Sequence, residues 1–177
     1  MSFLNLFMRA ASGSLFLFGT VIIDNISLSS SIYCAMAYDI TIGNKVFEEF
    51  DGSPEGGYWT VDRLVMPEAP LFPNDHMTGR SNMRSPSYRG WDEFIEATEL
   101  GELFDELMAH ESGNCVDLTE THLVAVKGAV SRWKDLHPGT TPGFTRSLDP
   151  QLARLLWLEW WMDWALKNCE HPAFDWC

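Results

Sequence analysis

The chain changes its pattern of apolar and polar positions several times. Tyr38-Asp39-Ile40-Thr41-Ile42 alternates apolar with polar, the period of a half-buried strand. Gly43-Asn44 is a turn signal, so residues 46–50 are expected to return as a partner strand. Residues 51–57 hold three glycines and a proline and read as a loop. Trp59, Val61 and Val65 suggest a third strand, with Asp62 and Arg63 breaking the alternation. The connections are too short for crossovers, so these strands are expected to pair antiparallel. Residues 67–86 carry four prolines and little periodicity, which predicts a long ordered loop.

The remainder has helical spacing. Ser85 or Ser87 can cap a helix through Trp91, Phe94 and Ile95. Gly101 interrupts it, and Leu103, Phe104, Leu107 and Met108 carry the apolar stripe onto a second piece. Thr119 caps the next helix, with Leu123, Val126, Val130 and Trp133 at helical spacing, and His137-Pro138-Gly139 stops it. Asp149-Pro150 starts the last helix, a capping side chain followed by proline at the first helical position. This helix is expected to end near Asn168, before Pro172.

At about 100° per residue, Trp157, Trp160, Trp161 and Trp164 fall within an arc of roughly 100° on that last helix. Trp157, Trp161 and Trp164 are expected in the core, and a stacking platform for sugars or bases is the rival use of such a stripe. Leu152, Leu155, Leu156 and Leu166 lie elsewhere around the same helix, among Glu159, Asp163 and Lys167. The helix therefore either sits centrally or keeps a second apolar face for a partner. The fold class expected is α+β: a small N-terminal antiparallel sheet packed against about four helices, with the Trp-rich C-terminal helix in the core.

Composition adds a boundary. The chain has 177 residues, 46% of them apolar, with eight tryptophans, which suits a compact core. Residues 1–35 contain only Arg9 and Asp24 as charges and end in a serine-rich stretch. The apolar run 15–23 is too short to span a bilayer. Ala35-Met36-Ala37 resembles a signal-cleavage site but lies far beyond the run, a poor fit. Met36-Ala37-Tyr38-Asp39 reads like an ordinary protein start. Residues 1–35 are thus expected to form an extension outside the fold, and residues 36–177 a single acidic domain.

Charge narrows the partners. The net charge is −13, and all of that excess belongs to residues 36–177. Residues 90–126 contain ten acids and no Lys or Arg. Seven of these, Asp92, Glu93, Glu96, Glu99, Glu102, Asp105 and Glu106, lie on the two predicted helical pieces and form the candidate partner-binding surface. Such a field repels nucleic acid and anionic membranes and attracts a basic protein surface. A solvated helix face accounts for the same acids without any partner. No basic stripe with interleaved aromatics is present, which argues against direct nucleic-acid binding.

The loop 74–89 holds the densest set of functional groups. Arg80, Arg84, Ser85, Ser87 and Arg89 form a candidate anion-binding set, because arginine forks grip carboxylate or phosphate and a helix start offers free N–H groups. The alternative is a loop that orders itself through its own Asn, Asp and Ser side chains. Asp75 and His76 are adjacent and seldom face one another, and no nucleophile or phosphate-loop motif accompanies them.

Cys34, Cys115, Cys169 and Cys177 show no paired spacing, which suits free thiols in a reducing, cytoplasmic compartment; a Cys115–Cys169 disulfide stays open. His110 with Cys115, and Cys169 with His171, lack the tight spacing of structural zinc sites, so neither metal nor cofactor is expected. The function expected is a non-enzymatic acidic interaction module, of the immunity or anti-defence inhibitor kind, that masks a basic site on a target. The second class is a small enzyme or anion- or nucleotide-binding domain using the 74–89 loop.

Overall fold

A computed structural model of the chain describes residues 38–49, 56–71, 80–109, 115–144 and 146–176. The expected extension 1–35, and with it Cys34, lies outside the described residues, as do Asp75, His76, His110 and Cys177. The order of elements is β1 (Ile40–Glu49), β2 (Gly57–Val61), β3 (Met83–Arg84), α1 (Tyr88–Thr98), α2 (Gly101–Leu107), β4 (Val116–Asp117), α3 (Glu120–Leu136), α4 (Pro150–Asn168) and β5 (Pro172–Trp176). The class is α+β: a curled antiparallel sheet with four helices.

The sheet runs β2-β1-β5-β4, with β3 also paired to β1. Its middle joins the two ends of the described chain, Ile40 opposite Trp176 and Ile42 opposite Phe174. The expected turn at Gly43-Asn44 is absent, and β1 continues straight through it. The reason is steric. A Cβ on Gly43 would lie 3.1 Å from both Asn82 Nδ2 and Val61 Cγ1, so the glycine admits a close neighbour instead of reversing the chain. The partner of residues 45–49 is β2, which comes after the loop. Val65 lies beyond β2 and makes an isolated bridge with Ser81.

Asn82 explains the close approach at Gly43. It is fully buried, and its side-chain amide donates to the carbonyls of Ile42 (2.9 Å) and Asp62 (2.7 Å) while its oxygen accepts the N–H of Leu64 (2.7 Å). Its backbone adds bonds to Ile42 and Leu64. One side chain thereby ties β1 to the segment following β2, each polar atom of its amide engaged.

The helices begin where the capping residues lie. Ser87 accepts the N–H of Gly90 at 3.2 Å and starts α1. Glu99 ends α1 in a left-handed conformation, φ 57°, and α2 follows from Gly101. Thr119 and His122 form a reciprocal capping box at the start of α3. Asp149 caps α4 by accepting from Gln151 (3.0 Å) and Leu152 (2.9 Å), and its other oxygen accepts the indole N–H of Trp133 at 2.6 Å. The cap of α4 is thus also its tie to α3.

Helix α4 is the centre of the molecule. From Pro150 to Leu166 no residue is exposed. Trp157 and Trp161 are buried, while Trp160 and Trp164 are partly buried at the margin of the core, Trp164 less deep than its spacing suggested. Leu152, Leu155 and Leu158 are buried on the remaining sides, against α3 and the sheet. The second apolar face is therefore taken up inside the fold. No helix among the described residues is long and apolar enough to cross a membrane.

Two predictions follow from this packing. Trp161→Ala should cost about 3–5 kcal/mol, the range for large buried aromatics. Trp161→Phe should cost much less, because the Trp161 indole N–H is buried without a hydrogen-bond partner among the described residues and its loss is favourable. Urea denaturation followed by circular dichroism separates the two. Asn82→Ala should cost about 1–3 kcal/mol through the stranded Leu64 N–H. Asn82→Asp, which sets a carboxylate against two carbonyls, should be worse in the same assay.

Candidate functional site

All seven candidate acids are exposed, distributed over α1, its left-handed cap and α2. They are not equivalent. Glu93 pairs with Arg89 at 2.7 Å, Glu99 with Arg132 at 3.4 Å, and Glu106 lies 3.3 Å from His122 Nε2. His122 Nδ1 accepts the N–H of Thr119, so Nε2 is the donor to Glu106. Asp92, Glu96, Glu102 and Asp105 have no ion-pair partner among the described residues. Glu99 does not continue the helical face of Asp92 and Glu96, because the left-handed cap redirects the chain there.

The candidate anion set is dispersed. Arg80 donates to the carbonyl of Ala69. Arg84 is 2% exposed, with its guanidinium 5.4 Å from the centre of the Trp157 ring. Ser85 donates to Asp39, Ser87 caps α1, and Arg89 faces solvent beside Glu93. Within residues 80–89 these groups order the chain locally, and residues 74–79 lie outside the described residues.

A cleft of about 330 Å³ opens beside the acids. Its walls come from three places. Helix α1 supplies Trp91, Asp92 and Ile95. Helix α2 supplies Gly101, Phe104, Asp105 and Met108, spaced as one helical face. Tyr38, just before β1, and Trp176, at the end of β5, close the far side. The rings brace one another edge to face: Trp91 with Phe104 at 4.9 Å, Tyr38 with Trp176 at 6.2 Å and Tyr38 with Tyr88 at 4.5 Å. The Tyr38 hydroxyl is pushed up from its ordinary range by burial first, then by the negative charge of Asp92 and by Tyr88. Asp92 therefore acts electrostatically on the aromatic wall.

Sequence reasoning missed Tyr38 and Trp176, which no local pattern links to the helices. The i, i+3, i+4, i+7 spacing of Gly101, Phe104, Asp105 and Met108 was a usable signal for the α2 wall.

A second polar cluster lies on the sheet. Lys45 reaches Asp117 at 3.0 Å and the Trp59 ring at 5.3 Å. Burial, then the neighbouring Asp175, pushes the Cys115 thiol up to about 12, and burial also raises Cys169. Both thiols are free, so the open disulfide pairing is not formed, and neither is a ready nucleophile at neutral pH. Among the described residues no group of three or more His, Cys, Asp or Glu is arranged to hold a metal. No protein-family model, curated protein or solved structure matches the chain.

Asp175 carries a pH prediction. Burial raises its carboxyl, against hydrogen bonds from Thr60 (3.2 Å) and from the backbone of Trp176 and Val61 that lower it. A carboxyl raised in the fold favours folding while protonated. That contribution is complete below the unfolded value, about 3.9, and is lost as pH rises through the folded value. Asp175→Asn should therefore raise the melting temperature at pH 7, with the gain fading as pH falls to about 3.9. A melting series across that range checks it; a loss at pH 7 would mean the hydrogen bonds outweigh the burial.

Proposed function

We propose that the protein is a non-enzymatic acidic interaction module that covers a basic site on a target protein, in the manner of an immunity or anti-defence inhibitor. One observation carries this reading: Asp92, Glu96, Glu102 and Asp105 are exposed on α1 and α2 with no ion pair among the described residues, inside a 37-residue stretch, 90–126, that contains no Lys or Arg. Unpaired surface charges of one sign keep their long-range field, which steers association with the opposite sign.

Glu99 adds support. It occupies a left-handed position where glycine is free of strain, and a glutamate side chain there bears a steric cost. The chain places an acid at that position, paired to Arg132 on α3. Trp91 and Phe94 of α1 and Phe104 of α2 are buried, so the charged side is free for contact while the other holds the pair to the fold.

The test is reversal of charges outside the cleft. Glu96→Lys, Glu99→Lys and Glu102→Lys combined should leave the melting temperature nearly unchanged, since exposed charges contribute little to stability. The same variant should lose a basic partner that co-purifies with the wild type from the native host at low salt and falls away as salt rises. Retention of that partner by the triple variant would reduce these acids to solubility groups.

A further inference from the structure

The cleft between α1, α2 and the sheet end is more specific than a charged surface. Four of its lining residues are aromatic and two are carboxylates, and among the described residues no Lys, Arg or His lines it. Its volume of about 330 Å³ is at the low end of ligand sites, too small for a folded element and sufficient for one long side chain. Tyr38 and Trp176, both half-buried, offer ring surface with the buried Trp91 and Phe104 behind them, and the π-system attracts a cation on its face. Asp92 and Asp105 come from different helices and line the same cleft.

We propose that this cleft takes one arginine side chain of a basic partner, its guanidinium held by Asp92 and Asp105 and its plane laid against the aromatic wall. Guanidinium fits better than ammonium. It is planar, weakly hydrated and stacks on rings, and its fork of five donors engages two carboxylates together. This rests on the reading of the protein as a binder of basic surfaces, but it concerns different atoms: Glu96, Glu99 and Glu102 do not line the cleft.

Two variants isolate it. Gly101→Phe places a ring at the cleft wall, where a Cβ meets nothing within 4 Å, and leaves every acid in place. The double variant Asp92→Asn with Asp105→Asn keeps the shape and removes the charge. The full chain, labelled at its indole nitrogens, is titrated with N-acetyl-arginine N-methylamide, its neutral citrulline counterpart and the lysine counterpart. The arginine probe should displace the Trp91 and Trp176 indole signals, the citrulline probe should not, and the lysine probe should bind more weakly. The double variant should bind arginine at least about tenfold more weakly, the effect of losing charge-assisted hydrogen bonds, and Gly101→Phe should not respond. An equal response to citrulline, an equal response to lysine, or no indole displacement up to the solubility limit overturns the assignment. Against the partner itself, loss in Gly101→Phe with binding kept by the Glu96, Glu99, Glu102 reversal supports the cleft and sinks the broad surface. The opposite pattern sinks the cleft alone.

Discussion

The structure depends on a helix with no exposed side over most of its length. Residues 150–166 of α4 are all buried or half-buried, so the helix is stable only when α3 covers one side and the sheet another. The consequences run outward from it. Asp149 must cap the helix inside the fold, and it does so while accepting the Trp133 indole. The chain leaves α4 at Asn168 and reaches Pro172 within a few residues, which places β5 beside β1 in the middle of the sheet. The earliest and latest described strands thus become neighbours. Pairings of that sequence separation close late and make folding slow compared with a helical bundle of the same size.

This central helix also explains where the charges went. With both of its faces apolar, α4 fills the core and leaves α1 and α2 as an outer pair, anchored by Trp91, Phe94 and Phe104. Only their outward sides can be polar. Two of the three arginines of the 80–89 segment are drawn the other way: Arg84 is buried over Trp157, and Arg80 is tied to a backbone carbonyl, while Arg89 stays at the surface beside Glu93. These two positive charges hold the loop to the core, and the acids of α1 and α2 stay outside.

The helices were legible because their signals are local. Ser87, Thr119 and Asp149 cap where capping chemistry says they should, and His137 ends α3. The strands were less legible because their causes are distant. Gly43 reads as a turn until Asn82 and Val61 are seen pressed against it. Strand β5 starts with proline and holds only Ala173, Phe174 and Trp176 as apolar residues, so nothing within it announces a central strand. The exposed acids on α1 and α2 were visible as a run. The aromatic wall beside them was not, because Tyr38 and Trp176 meet through the β1–β5 pairing and reach the helices only in three dimensions.

That same pairing gives the cleft its position. Ile40 faces Trp176 across the sheet, and Tyr38 lies two residues before Ile40, so the two aromatics come together where the ladder ends. The β1–β5 ladder sets where they meet, and the Tyr88 ring of α1, 4.5 Å from Tyr38, braces them. The opposite wall is held by Trp91 against Phe104 and is tied to β5 by Phe104 against Phe174. Walls held by these shared ring contacts leave a gap that cannot close without breaking them. The gap is therefore a preorganised space, and preorganisation lowers the ordering cost that binding otherwise bears. Two acids at its wall, with no base there among the described residues, favour a positive charge in that space, and the surrounding negative field favours its approach.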